Sequence, residues 1–192
     1  MNPLKSIAEE VQILFIDLQP GLIAASQTVK PPALATAAGV LAKIANVLDI
    51  PMTFCLVPEQ GGPGSLIPEL AEYATEKTSF RRVVASPFME PAIVSALAAH
   101  DRKILVIAGF SAEVAVLQST LGAIGAGYTV QIPVDTMGSR SARTEDAVMR
   151  QMEKAGAIPT SVLSLSALLA PDFSQQPGSA VLSALAGLRA AS

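Results

Sequence analysis

The 192-residue chain holds one cysteine, one histidine and few charges, and each shortage removes a class of function. Cys55 has no internal partner for a disulfide. His100 alone cannot build a multi-histidine zinc site, so no metal and no cofactor are expected. Charged residues make up 15% of the chain and the net charge is -3, with an isoelectric point near 5.1. Phosphate binding needs clustered Lys and Arg, whereas Arg81–Arg82 and Arg102–Lys103 are isolated pairs, so nucleic acid is not an expected partner. A membrane span needs about eighteen uninterrupted apolar residues. Even residues 33–50 are broken by Lys43, Asn46 and Asp49, so no membrane partner is expected either. Residues 1–5 run into Glu9 and Glu10 with no apolar signal core, which makes a cytoplasmic location the expectation. There is no internal repeat and no low-complexity segment.

What the chain does have is apolar surface. Hydrophobic residues are 51% of it and the mean hydropathy is +0.47, enough for a sheet covered on both faces or for apolar surface hidden in a homo-oligomer. The length fits a single domain over 1–192, with a core over about 10–170 and a docking helix or frayed tail over 171–192. Val11–Ile16 reads as a doubly covered strand, and residues 33–48 place Leu34, Ala38, Leu41, Ala45 and Leu48 at helical spacing. Further strands are predicted at 52–57, 79–84, 104–108, 129–134 and 161–165. Helices are predicted at 66–73, 91–99, 113–126 (closed by Gly127) and 142–155 (closed by Gly156). Alternation of this kind predicts an α/β, Rossmann-like three-layer fold: a doubly wound open parallel sheet of about six strands, with helices on both faces. Its ligand crevice lies beyond the carboxyl ends of the strands, where Asp17, Arg82 and residues 109–115 fall.

Three segments carry chemistry. Ile13-Leu14-Phe15-Ile16-Asp17-Leu18-Gln19 ends a buried strand on an aspartate, with a glutamine two residues on. Asp17 is either a turn residue or, buried at a crevice mouth, an acid or base. Ile107 to Leu117, with Gly109-Phe110-Ser111-Ala112-Glu113-Val114-Ala115 at its centre, is a strand–loop–helix unit. Val134-Asp135 and Gly138-Ser139-Arg140-Ser141 precede the helix that ends at Ala155-Gly156. In order and spacing, these segments resemble the isochorismatase-like cysteine hydrolases over about residues 10–170. The resemblance implies an aspartate, a lysine and a helix-opening cysteine as the catalytic set, in a family of isochorismatases, nicotinamidases and related amidohydrolases. Asp17 holds the first position. Arg82 holds the second, with Arg81 and Lys77 as alternatives, and Ala115 stands where the nucleophile belongs. The same resemblance implies substrate contacts from Gln19, Phe110, Ser111 and Glu113, and a cis peptide at Phe110–Ser111.

Alanine cannot attack a carbonyl, so the thioester route is closed at Ala115. Ser111, Ser119 and Cys55 are weak substitutes: the serines suit backbone hydrogen bonds and Cys55 suits a small buried site. A guanidinium beside Asp17 is expected to hold it ionised with its pKa pushed down, and would suit a carboxylate-bearing ligand. Three functions follow: a catalytically silent relative, a cysteine-independent vinyl-ether hydrolase with Asp17 as acid, or an amidohydrolase whose nucleophile has been replaced by mutation. Two altered positions together favour natural divergence over the last.

Overall fold

In a computed structural model, which describes residues 7–59 and 62–189, a parallel sheet is sandwiched between two layers of helices. In chain order the elements are β1 (Val11–Ile16), α1 (Pro20–Ile23), α2 (Pro31–Val47), β2 (Met52–Leu56), α3 (Pro68–Ala71), β3 (Ser79–Arg81), α4 (Pro91–Ala99), β4 (Ile104–Phe110), α5 (Leu117–Gly125), β5 (Thr129–Pro133), β6 (Met137–Gly138), α6 (Ala142–Ala155), β7 (Ile158–Thr160), α7 (Val162–Leu169) and α8 (Gly178–Arg189). The strands lie in the order β3-β2-β1-β4-β5-β7, all parallel, and the two-residue β6 pairs with the end of β4. Strands are added outward from β1 to β3. The chain then crosses to the other side of β1 and adds β4, β5 and β7, so the order reverses between β1 and β4.

β1 is buried along its whole length because both its faces are covered. Ile13 and Phe15 join a core with residues of α2, α7 and α8, where Phe15 stacks on Phe54 at 5.3 Å; Leu14 and Ile16 join a second core with α4, α5 and Met152 of α6. Such alternation within one continuous apolar run is the mark of a doubly covered parallel strand. At the reversal the two central strands approach closely: a Cβ on Gly109 would lie 2.5 Å from the Ile16 carbonyl oxygen, so only glycine fits there.

Besides the strand expected at 79–84, which stops at Arg81, two predicted elements change. The last strand is not at 161–165. It is β7 at Ile158–Thr160, and residues 162–169 form α7, whose N-cap Ser161 accepts from the Ser164 amide at 3.1 Å. The Asp135 carboxylate also accepts from the Val162 amide, at 3.0 and 3.2 Å, and holds the same helix end. Second, the helix expected from 113 opens with one wide π-helical turn, Ala112–Val116, before α5 begins. The C-terminal segment docks as α8, which packs on α2. Residues 1–6, the site of the signal-core reading, lie outside the described residues. Among the described residues no helix is long and apolar enough to cross a membrane.

Candidate active site

Asp17 leaves the end of β1 with φ of 55°, a left-handed conformation that an aspartate tolerates better than most residues. Its amide donates to the Cys55 carbonyl at 2.9 Å, which turns the side chain out of the sheet edge. Arg82 follows β3, with its amide on the Leu56 carbonyl at 3.0 Å. From there it reaches across β2 and donates from Nη2 to Asp17 Oδ2 at 2.5 Å. The pair is deeply buried, with side-chain exposures of 2% for Arg82 and 9% for Asp17. Nη1 donates to the Val84 carbonyl, so both terminal nitrogens have partners within the chain, while Asp17 Oδ1 and Arg82 Nε have none.

The expected direction of the Asp17 shift is corrected. Burial pushes its carboxyl up to about 6, and Arg82, through its charge and its hydrogen bond, draws it only partway back. Removing the ionised form from water costs more here than one cation returns. The result is a carboxyl that titrates in the working range of a general acid.

Ala115 sits in the π turn at 2% exposure, in the core cluster that contains Ile16 and Cys55. The one thiol of the chain, Cys55, lies on β2. Burial pushes the Cys55 thiol up to about 12, against the pull of Arg82, so it is inert. Ser119 is buried and donates to the Ala115 carbonyl at 2.6 Å. The Phe110–Ser111 peptide is cis; Phe110 is buried in the first core and Ser111 precedes the π turn half-buried.

Gln19 has no exposed surface. Its carboxamide donates to the Val57 carbonyl at 3.0 Å and accepts from the Val57 amide at 2.8 Å, tying the loop after β1 to the end of β2. Gly64, at φ 69°, lies against this clamp, and a Cβ there would collide with Gln19 and the Val57 carbonyl. Both polar ends of Gln19 are therefore engaged by backbone rather than turned toward a ligand. Glu113 Oε1 accepts from the hydroxyls of Ser139 and Thr144, the latter at 2.7 Å. Burial acts to raise Glu113, but these bonds, with those from its own amide and Ser111, together hold it below the ordinary value. Thr28 extends the network, accepting from the Ser139 amide at 2.9 Å and donating to Glu145 at 2.6 Å. Sequence spacing carries no sign of it, because Thr28 and Glu145 are 117 positions apart.

Of the expected residues, then, Asp17 and Arg82 meet directly, whereas Lys77 and Arg81 take no part in that pair. Arg81 is exposed, directed to the Gly64 carbonyl at 3.5 Å. A cavity of about 150 Å³ beside Arg82 is lined by Pro58, Arg81, Arg82, Val83 and Glu90. Among the described residues there is no cluster of three or more His, Cys, Asp or Glu side chains able to hold a metal ion.

A reversal of strand order between β1 and β4, a buried aspartate after β1, a basic partner after β3 and a helix-opening turn after β4 define an isochorismatase-type α/β protein. The isochorismatase domain family matches residues 11–163, and the chain belongs to that family. It is 27% identical over 149 residues to the Probable hydrolase YcaC of Escherichia coli (strain K12), covering 77% of this chain and 72% of that protein. The structure of YcaC from Pseudomonas aeruginosa, with hexane-2,5-diol and covalent acrylamide, superposes with a TM-score of 0.86 at 27% identity, over 94% of this chain and 89% of the other. The Escherichia coli YcaC structure, described as an octameric hydrolase of unknown specificity, has a TM-score of 0.87 at 24% identity, over 97% and 92%.

Proposed function

We propose that this isochorismatase-family protein does not carry out thiol-dependent amide hydrolysis, and that it is a catalytically silent relative holding a small, carboxylate-bearing ligand at the crevice near Arg82. The observation that carries this reading is that the helix-opening position is Ala115, with the nearest alternatives chemically occupied: Cys55 is an inert buried thiol and Ser119 is bonded to a backbone carbonyl. Arg81, exposed in the small cavity that it lines with Arg82 and Glu90, supports an anionic ligand. The same reading includes a homo-oligomer, supported by the apolar composition and by the octameric state of the Escherichia coli relative, and a cytoplasmic location. The test is a panel of primary amides and small carboxylates, with turnover followed by product release and binding by calorimetry. Saturable carboxylate binding without amide turnover is expected. Amide hydrolysis by the parent chain would sink the reading. Thiol-sensitive amidase activity appearing in Ala115→Cys would favour the replaced-nucleophile alternative.

A second reading has its own support. Asp17 keeps one oxygen without a partner and titrates near 6, as an acid for cysteine-independent vinyl-ether cleavage needs. Such an enzyme would hydrolyse isochorismate and lose that activity in Asp17→Asn. An Asp17→Asn variant as fast as the parent would end this reading.

A further inference from the structure

We infer that the cavity at the carboxyl end of β3 takes a small zwitterion, a molecule with a free carboxylate and a free ammonium on a short carbon chain. Arg81 holds the carboxylate and Glu90 the ammonium. This rests on the carboxylate-ligand reading above and adds to it the second charge that the ligand must carry.

β3 is the outermost strand of the sheet, and Arg81 is its last residue, in register with Leu56 at the end of β2. Pro58 follows β2, and Glu90 stands at the N-cap of α4, so a strand end, a loop and a helix start meet around one hollow. Arg82 lines it too, but its charge is already used: Nη2 donates to Asp17 and Nη1 to the Val84 carbonyl. Arg81 is different. Its Nη1 reaches only the Gly64 carbonyl, at 3.5 Å, longer than an ordinary N–H···O bond, and its side chain is exposed.

Glu90 is fixed by its backbone alone. Its amide donates to the Pro87 carbonyl at 3.0 Å, and its carbonyl accepts from the Ile93 and Val94 amides at 3.0 and 3.1 Å. Its carboxylate stands where a side chain would cap α4, yet it accepts no amide of the helix. Among the described residues the salt bridge of this region is Asp17–Arg82, and Arg81 and Glu90 are not paired with each other. Two opposite charges therefore share one cavity of about 150 Å³ without neutralising one another.

A plain carboxylate drawn to Arg81 meets Glu90 as a like charge, and a plain amine drawn to Glu90 meets Arg81 in the same way. A molecule with both charges turns each repulsion into an attraction, and repelling the wrong ligand discriminates as well as attracting the right one. The planar guanidinium fork suits a carboxylate, and the Glu90 oxygens accept from the three N–H groups of an ammonium. Pro58 and Val83, the latter 83% exposed, supply an apolar wall for the carbons that join the two charges.

The test is calorimetry on the full chain with β-alanine and butyrate, which differ in an ammonium against a methyl at the end of the same chain. β-Alanine is expected to bind roughly tenfold tighter at low salt, the gain from one hydrogen bond between charged groups. Glu90→Gln should erase that difference while butyrate binding and circular dichroism are kept. Arg81→Gln should weaken both ligands. If neither compound binds the parent, the carboxylate-ligand reading and this inference fall together. Butyrate bound as tightly as β-alanine overturns the zwitterion alone and leaves that reading standing. A preference for β-alanine that survives Glu90→Gln overturns the role of Glu90, and unchanged binding of both compounds by Arg81→Gln overturns that of Arg81.

Discussion

Asp17 and Glu113 leave the same edge of the sheet, one just after β1 and the other in the turn that follows β4, yet their carboxyls are driven in opposite directions. Each keeps one oxygen without a partner. Asp17 has a full cation at 2.5 Å and is still raised to about 6, whereas Glu113 has only neutral hydroxyl and amide donors and is lowered. The difference is depth and number. Asp17 is almost wholly withdrawn from water and receives one side-chain donor; Glu113 is half-buried and receives several. A single buried ion pair therefore does less for a carboxylate than a set of well-placed neutral donors at a wetter site.

The strongest way to break this comparison is to remove the cation. Arg82→Met leaves Asp17 buried with no counter-charge and is expected to cost about 3–5 kcal/mol at pH 7. The loss should shrink toward pH 5 as Asp17 takes up a proton. Urea unfolding at both pH values checks it; an equal loss at each would mean that Asp17 is not the group responding.

Next is the pH profile of the parent. Asp17 binds its proton more tightly folded (about 6) than unfolded (the ordinary 3.8), so between those values the native state holds more protons. Its contribution to stability therefore falls as pH rises from about 4 to about 6, by roughly 3 kcal/mol at 1.36 kcal/mol per pH unit. Below that window the penalty for an ionised Asp17 is absent; above it the penalty is complete. Asn tolerates the left-handed backbone of position 17, so parent minus Asp17→Asn isolates the effect. A difference that does not change with pH would contradict the burial account.

On the other side, Ser139→Ala takes one donor from Glu113 and should cost about 1–2 kcal/mol while moving the Glu113 pKa upward, as read by NMR titration. The smallest effect is expected for Thr144→Val, at the exposed edge of the same network, at about 0.5–1 kcal/mol. If Thr144→Val shifts Glu113 further than Ser139→Ala does, the ranking of donors by depth is wrong.

Much of the scaffold was legible beforehand. The unbroken apolar run of β1 marks a doubly covered strand, and Gly127 and Gly156, at φ 91° and 111°, close helices where glycine alone is comfortable. Residues 161–165 misled because Ser-Val-Leu-Ser-Leu offers no clear helical face over so few positions, and the deciding forces are the Ser161 cap and the distant Asp135 carboxylate. The cis Phe110–Ser111 peptide followed from family resemblance rather than from any local pattern. Gln19, expected at a ligand, is clamped to Val57, a partner that only the adjacency of β1 and β2 supplies.

The sequence by itself determined the parallel α/β class and the absence of a thiol at Ala115, because these depend on local periodicity and on which atoms a side chain contains. Only the tertiary structure decided that Arg82 rather than Arg81 or Lys77 meets Asp17, and that Asp17 is raised rather than lowered. Both outcomes turn on distance and on exclusion of water, and these exist only once β1, β2 and β3 lie side by side.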